Sequence, residues 1–260
     1  MTVFWHEIKR GRTAFAVWTA AVAFLMVVCV FLFPEMRGEM EQAGDMFSSM
    51  GSFTAAFGMD RLNFGEFLGF YSIECGNILG LGGALFAALT GAGMLAKEQK
   101  EHTADFLLTH PAGRGRIVSG KLAAVAVQIL MLNGMALLLA AGSVLLIGEE
   151  AAWDKWLLLH LAYLFAQLEI GAVCFGVSAF LSGNSAGIGL GLAILWYFCN
   201  IIANLTEKAR FLKYFTPFGY AEGADIVNSG RLDGGMLLAG AALAAAGILA
   251  AYVRYGRKDI

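Results

Sequence analysis

The sequence predicts an all-α membrane protein with six transmembrane helices, and three observations support this prediction. Of the 260 residues, 58% are hydrophobic and 15% are charged, whereas a soluble domain is about 25% charged. Apolar runs of about 20 residues recur along the chain, as a hydrocarbon core about 30 Å thick requires. Ten-residue segments of alternating polarity, typical of a membrane β-barrel, do not occur in the sequence, so the spans are expected to be helices.

The six predicted spans cover residues 13–33, 75–96, 122–147, 156–181, 184–205 and 235–253. The first span is longer than the apolar region of a signal peptide, and Pro34-Glu35 follows it without a cleavage pattern of small residues. Spans four and five are so close in sequence that they are predicted to form a tight helical hairpin. The halves of the chain have different loop lengths and show no inverted repeat, so residues 1–260 are expected to form a single transmembrane domain.

Lys and Arg residues predict the orientation. With both termini in the cytoplasm, eleven of the 18 Lys and Arg residues lie on the cytoplasmic side. The connections 34–67 and 206–233 then lie outside, and the connection 97–121 lies inside. The first twelve residues and both outer connections carry enough apolar side chains to lie on the membrane surface. The expected location is the plasma membrane, as a multi-pass protein.

The sequence assigns no metal or nucleic-acid site. The four cysteines lie in apolar runs without a CxxC pair and are interpreted as packing residues. A basic stripe with interleaved aromatic residues is missing from the sequence, so nucleic acid is not an expected partner. The methionines of the first outer connection fit either adaptable apolar packing or a copper(I) site of thioether ligands, and both readings stay open. They are Met36, Met40, Met46, Met50 and Met59.

Small residues recur at every fourth position of span two and at the start of span five. Such rows let helix backbones approach closely. They predict either packing within one chain or an interface with a second chain. The two rows are Gly76, Gly80, Ala84, Ala88, Ala92 and Ala96, and Gly183, Gly187 and Gly191.

The connection 97–121 carries eight of the 38 charged residues of the chain, yet it contains Phe106, Leu107 and Leu108. Residues 97–108 can form a helix with a charged body and an apolar tip, which would lie in the membrane interface or in a protein groove. Pro111 is expected to end this helix, because proline disfavours the helical conformation in the preceding residue. Residues 112–116 are then predicted to form a turn that leads into span three.

This connection resembles the inner loop of bacterial type-2 ABC (ATP-binding cassette) exporter permeases. The resemblance lies in the run from Lys97-Glu98 through Thr103-Ala-Asp-Phe-Leu-Leu-Thr-His-Pro111 to Arg116-Ile-Val-Ser-Gly-Lys121. Asp105 stands where these permeases usually have Glu, and His102 where they usually have Gly. The run Phe215-Thr-Pro-Phe-Gly-Tyr-Ala221, the Tyr-Gly-Arg-Lys-Asp-Ile ending and the six-span plan also agree.

The resemblance implies a cytoplasmic coupling helix that docks on a separate ABC ATPase subunit. The chain has no GxxxxGK[ST] loop, so it is not expected to be an enzyme or to bind a cofactor, and ATP and Mg²⁺ are expected on the partner subunit. A second permease chain, identical or homologous, would complete a substrate path between spans two and five. The docking residues would be Glu98, Glu101, Asp105, Phe106, Leu107, Leu108, Pro111, Arg114 and Arg116.

Polar residues within the spans are further candidates. Glu169 lies near the middle of span four, where a carboxylate facing lipid costs about 2.5–3.5 kcal/mol, so it should face protein or water. It is either a packing residue, with Asn133 or Gln128 as its partner, or a group that senses cargo or couples protons. The candidates for the substrate path are Glu74, Asn77, Gln167, Glu169, Trp196, Asn200 and Asn204.

Two other functions fit a six-span protein. One is an autonomous channel or secondary transporter driven by an ion gradient through Glu169, against which the charged connection and the missing repeat argue. The other is a non-transporting membrane assembly or immunity factor. No motif in the sequence identifies the transported substrate or says whether the two permease chains are identical.

Overall fold

The computed structural model describes the backbone of residues 2–100, 113–181 and 185–257, and the side chains in these ranges except those of residues 40–49 and 98–100. Helices dominate the described ranges. They are α1 (Thr2–Ser49), α2 (Ser52–Ala56), α3 (Phe67–Lys100), α4 (Arg114–Ile147), α5 (Trp153–Ser178), α6 (Ala186–Leu205), α7 (Gly223–Ser229) and α8 (Gly234–Gly256), with 3₁₀ helices at Met59–Arg61 and Glu207–Phe215.

Within the described ranges, six helices are long and apolar enough to cross a membrane, namely α1, α3, α4, α5, α6 and α8. The prediction of an all-α membrane protein with six transmembrane helices is confirmed. Most of the helices are longer than the apolar runs, because polar helix formers continue the backbone hydrogen bonding past the ends of those runs. The helix α4, for example, begins at Arg114, before the predicted span 122–147.

The first helix is longer than the sequence indicated. Pro34 was expected to end span one, but it lies inside a continuous helix of 48 residues. A proline removes one backbone hydrogen bond, and neighbouring helices let membrane helices tolerate this loss. Phe33 is fully buried, and its ring packs against the rings of Phe67 and Phe70 of α3 at centroid distances of 5.3 and 5.2 Å. This packing anchors α1 to α3 directly before the proline.

The start of α4 also differs from the expectation. A turn was predicted at residues 112–116, whereas α4 begins at Arg114 with Gly113 as its N-cap residue. The backbone amides of Arg116 and Ile117 donate hydrogen bonds to the Gly113 carbonyl. The two glycines of this region therefore do not prevent the helix from starting before the apolar run. Residues 182–184, where the tight turn between spans four and five was predicted, lie outside the described residues.

The bundle has two ends, which we name by the chain termini. The terminal face carries the start of α1, the end of α3, the start of α4 and the end of α8. The opposite end is the distal face, where Arg37 of α1 lies 3.3 Å from Glu149, just after α4. At the centre are α3 and α5, since 61% of the most apolar stretch of each helix is buried, against 11% for α8.

The connection between α6 and α8 enters the bundle instead of only lying on its surface. The 3₁₀ helix Glu207–Phe215 exposes Phe211 and Phe215, as expected for a segment at the membrane surface. The chain then turns inward, and Phe218, Tyr220 and Ala221 are buried. Residues 216–224 thus bring polar groups of a connecting segment into contact with α3, α5 and α6.

The two rows of small residues have different surroundings. Gly76 and Gly80 of α3 lie against the ring of Tyr163 of α5, and Ala88 and Ala92 lie against Gly189 of α6. The row in span two therefore packs within the chain. Gly187 and Gly191 are exposed, and a Cβ at either glycine would meet no atom of the described chain within 4 Å. Gly189 of span five, which the predicted row does not contain, approaches α3 closely.

Candidate functional site

Some of the predicted docking residues belong to the part of the chain that the structure describes, and the others do not. Glu101, Asp105, Phe106, Leu107, Leu108 and Pro111 lie outside the described residues, as does the side chain of Glu98 on α3. Arg114 and Arg116 form the first turn of α4. The Arg114 guanidinium donates a 2.9 Å hydrogen bond to the Gly256 carbonyl at the end of α8, and Arg116 is exposed. Arg114 therefore links α8 to the helix that follows the predicted coupling segment.

A buried ion cluster that the sequence analysis did not identify lies beside this segment. Glu7 of α1 accepts a 2.7 Å hydrogen bond from Lys121 of α4 and another from Lys97 of α3. Lys121 also donates to the Met94 carbonyl at 2.9 Å and is fully buried. The sequence feature that could have indicated this cluster is Glu7, because it is an acidic residue among the basic residues Lys9, Arg10 and Arg12. One carboxylate of α1 thus joins this helix to α3 and α4 at the terminal face.

Gln167 is at the centre of a polar network within the bundle. It is fully buried, and its Nε2 donates a 3.0 Å hydrogen bond to the Leu79 carbonyl of α3. Its Oε1 accepts a 2.7 Å hydrogen bond from Asn133 of α4. Both ends of the Gln167 amide thus face protein, and Gly83 leaves the space that this amide fills. These contacts give Gln167 a packing role among three helices.

Glu169 has a different partner from the one predicted. Neither Asn133 nor Gln128 hydrogen-bonds to it: Asn133 donates to Gln167, and Gln128 donates to the Ala124 carbonyl. The Tyr220 hydroxyl, from the connection between α6 and α8, donates a 2.8 Å hydrogen bond to Glu169 Oε2. Glu169 also lies directly against Gly240 of α8, where a Cβ would collide with the carboxylate. A partner in a connecting segment could not be found from the pattern of the spans alone.

Glu222 is the centre of a polar cluster near the distal face. Its Oε2 accepts hydrogen bonds from Asn200 at 2.8 Å and from Asn204 at 2.9 Å, both on α6. The Arg61 guanidinium lies 3.8 Å from its Oε1. Asn204 also donates to the Ala56 carbonyl of α2 at 3.2 Å. The two predicted asparagines are therefore brought together by Glu222, a residue that directly follows the Phe215–Ala221 motif and was missed.

Asp225 joins a second set of charges next to Glu222. It forms ion pairs with Arg61 and, at 3.0 Å, with Lys213 of the 3₁₀ helix. Burial acts to raise the pKa of the Asp225 carboxyl, but Lys213 and Arg61 outweigh burial and hold this pKa below its ordinary value. The ionised carboxylate therefore ties together residues from both distal connections.

A small polar cavity lies between α3, α6 and the inward connection. Its volume is about 50 Å³, and Asn77, Tyr163, Tyr197, Asn200 and Glu222 contribute to its lining. Asn77 is exposed and accepts a 3.2 Å hydrogen bond from the Tyr197 hydroxyl. Asn200 Oδ1 is buried and has no hydrogen-bond partner within the described chain. Two of the residues predicted to line the substrate path, Asn77 and Asn200, therefore line the same polar cavity.

The remaining predicted path residues have separate surroundings. Trp196 is buried, and its carbonyl accepts a 2.9 Å hydrogen bond from Thr216 Oγ1 at the start of the inward connection. Glu74 is partly buried on α3. Within the described residues no group of three or more His, Cys, Asp or Glu side chains could hold a metal ion. The side chains of Met40 and Met46 lie outside those residues, so the copper interpretation of the methionines stays a hypothesis.

Comparison with known proteins supplies the family. The family model described as ABC-2 family transporter protein matches residues 1–260. No curated protein matches the chain.

Proposed function

Since the chain belongs to the ABC-2 transporter family and is thus the membrane permease component of an ABC transporter, we propose that it is an exporter subunit driven by a separate ATPase. In this proposal the ATPase docks on the connection 97–121, and a second permease chain completes the substrate path. The observation that carries the proposal is the family match over the whole chain. The absence of a GxxxxGK[ST] loop from the sequence supports placing ATP and Mg²⁺ on the partner subunit.

The terminal face is proposed to be cytoplasmic, in the plasma membrane. It carries basic residues at the starts of α1 and α4 and at the end of α8, as the cytoplasmic ends of membrane helices commonly do. The ATPase would meet an apolar anchor of Phe106, Leu107 and Leu108, surrounded by charged residues that set its register. The charged residues are Glu98, Glu101, Asp105, Arg114 and Arg116.

The substrate path is proposed to run along the exposed side of α3 and α6. Asn77 and Tyr197 offer polar groups on this side, next to the buried Asn200 and Glu222. Gly187 and Gly191 of α6 are exposed and leave room for a second permease chain to approach closely. The second chain is either an identical or a homologous permease. The chemistry of the cargo does not follow from these residues.

The first experiment tests docking of the ATPase. The full chain is purified from its native membranes with its associated proteins, and an ABC ATPase is sought by mass spectrometry and by ATP hydrolysis. Leu107→Asp places a charge in the apolar anchor, so we expect the protein to insert in the membrane but to lose the co-purified ATPase. Thr109→Asp is the matched control, because it places the same charge just outside the apolar anchor of Phe106, Leu107 and Leu108.

The outcomes separate the three functions. A complex that keeps its ATPase with Leu107→Asp rejects the docking anchor. A chain that transports without any ATPase would be a secondary transporter, and Glu169→Gln would then abolish its gradient dependence. A chain that binds the ATPase but never stimulates hydrolysis in the presence of any substrate would be a non-transporting factor.

A further inference from the structure

The cluster of Glu7, Lys97 and Lys121 lies at both ends of the proposed docking connection. Lys97 is its first residue and Lys121 its last. The two ammonium groups bind the two different oxygens of the Glu7 carboxylate. Glu7 is 4% exposed and Lys121 is completely buried. A single side chain of α1 therefore fixes both points at which the connection joins the bundle.

The start of α1 also packs closely on the start of α4. A Cβ on Gly120 would lie 3.5 Å from Cβ of Val3, and a Cβ on Gly11 would lie 2.9 Å from Oε1 of Gln128. The two helices are therefore in van der Waals contact at these positions, and the ion cluster adds α3 to the pair. The start of α1 is thus held against the connection by packing as well as by charge.

Stability alone does not account for the cluster, because a buried ion cluster contributes little net free energy of folding. Each buried ion loses several kcal/mol of hydration, and well-packed apolar residues often replace such clusters with no loss of stability. Breaking one partner, however, leaves an uncompensated buried charge, so the cluster strongly favours one relative position of the three helices. Fixing the geometry of α1, α3 and α4 is therefore its physical effect.

We propose that Glu7 is a positioning residue that makes the start of α1 move together with the connection 97–121. This inference rests on the proposed docking of an ATPase on that connection. When ATP moves the connection, Lys97 and Lys121 are displaced, and their ion pairs displace Glu7 with them. Because α1 is a continuous helix that reaches the distal face at Arg37, its distal part moves as well. Without the Glu7 carboxylate, α3 and α4 still move, but α1 is released.

The test uses two reporter cysteines in the purified complex with its ATPase, in a background without the four native cysteines. Gly38→Cys reports on the distal part of α1, where a Cβ would meet no atom of the described chain within 4 Å. Ser229→Cys reports on the exposed end of α7, which is not part of α1. The measurement is the rate at which each cysteine reacts with a water-soluble maleimide, with and without ATP.

We expect ATP to change both rates at least about twofold in the wild-type background, and Glu7→Gln to abolish only the change at Gly38→Cys. Glu7→Asp keeps the carboxylate and should retain the change at both sites. Lys9→Gln, an exposed neighbour on α1, is the control for charge loss. In the permease alone, Glu7→Gln should speed hydrogen exchange of residues 3–12 at least about tenfold, because an unpaired buried charge loosens local structure.

The outcomes distinguish this inference from the proposed function. If ATP changes neither reporter in the wild-type background, the proposed coupling to an ATPase is wrong. If both reporters respond to ATP and the Gly38→Cys response is the same with and without Glu7→Gln, the role proposed for Glu7 is wrong. Glu7→Gln combined with Lys121→Gln serves if Glu7→Gln alone does not fold, since the double variant removes the carboxylate together with the fully buried ammonium group. An unchanged Gly38→Cys response in this double variant also rejects the inference.

Discussion

The Tyr220 hydroxyl donates a 2.8 Å hydrogen bond to Glu169 Oε2, although the two residues are 51 positions apart. Glu169 lies about 24 Å along α5 from Trp153, at 1.5 Å per residue. Tyr220 belongs to a connection that starts at the distal end of α6. The connection therefore reaches well into the bundle to give a spanning helix its polar partner.

Removing the Tyr220 hydroxyl should destabilise the bundle. In Tyr220→Phe the buried carboxyl of Glu169 loses its donor, and an unsatisfied buried polar group costs about 1–3 kcal/mol. The free energy of unfolding, measured in mixed micelles with increasing SDS, should fall by about this amount. Tyr214→Phe is the control, because Tyr214 is 50% exposed. Equal stability of the two variants would show that the bond contributes nothing.

The sequence could predict the helices because each one depends on its own residues. Apolar runs of sufficient length identified all six long helices. The ends of the helices were harder to predict, since Pro34 lies inside α1, where the preceding Phe33 packs against Phe67 and Phe70 of another helix. Contacts of this kind join residues far apart in the chain, and one sequence does not reveal them.

The polar sites were predicted only in part for the same reason. Asn200 and Asn204 were found because amides are rare in an apolar span, but Glu222 and Tyr220 lie in a connection where polar residues are ordinary. Lys121 was counted among the basic residues of the connection 97–121, yet it is fully buried. Its burial depends on Glu7, whose position against α4 is a property of the tertiary fold.

Close approach of α3 and α5 should make Gly91 sensitive to substitution. A Cβ at Gly91 would lie 2.5 Å from the Gly171 carbonyl oxygen and 3.1 Å from the Phe175 amide nitrogen. These are backbone atoms, so the helices must separate, and overpacking of this kind costs about 1–3 kcal/mol. We expect Gly91→Ala to lower the free energy of unfolding by this amount.

Gly93 of the same helix provides the matched control for Gly91→Ala. A Cβ at Gly93 would meet no atom of the described chain within 4 Å. Gly93→Ala should therefore leave stability unchanged or raise it by up to about 1 kcal/mol, because alanine is the better helix former. If both variants have the same stability, α3 and α5 are not in close contact at Gly91.

The ion pairs of Asp225 should make the distal connections sensitive to acid. Its folded-state pKa is below the ordinary value, so its contribution is fully present above the ordinary aspartate pKa of about 3.9 and is lost as the pH falls through the lowered value. The thermal unfolding midpoint of the wild-type chain should thus drop as the pH falls from about 5 to below 3.9.

The Asp225→Asn variant isolates this contribution. It should unfold at a lower temperature than the wild-type chain at neutral pH, and the difference should shrink below about pH 3.9 as the wild-type carboxyl is protonated. Asp154→Asn, at the exposed start of α5, controls for general charge loss. A difference between wild type and Asp225→Asn that stays constant across this pH range would contradict the prediction.

The two faces of the bundle should be reached from opposite sides of the membrane. Gly113→Cys lies on the terminal face next to the connection 97–121, and Ser229→Cys lies on the distal face; both positions are exposed. In intact cells expressing the chain without its native cysteines, a membrane-impermeant maleimide should label only Ser229→Cys. Permeabilised cells should add labelling of Gly113→Cys. The reverse pattern in intact cells would place the terminal face outside, where a cytoplasmic ATPase cannot reach it, and would reject both the orientation and the proposed docking.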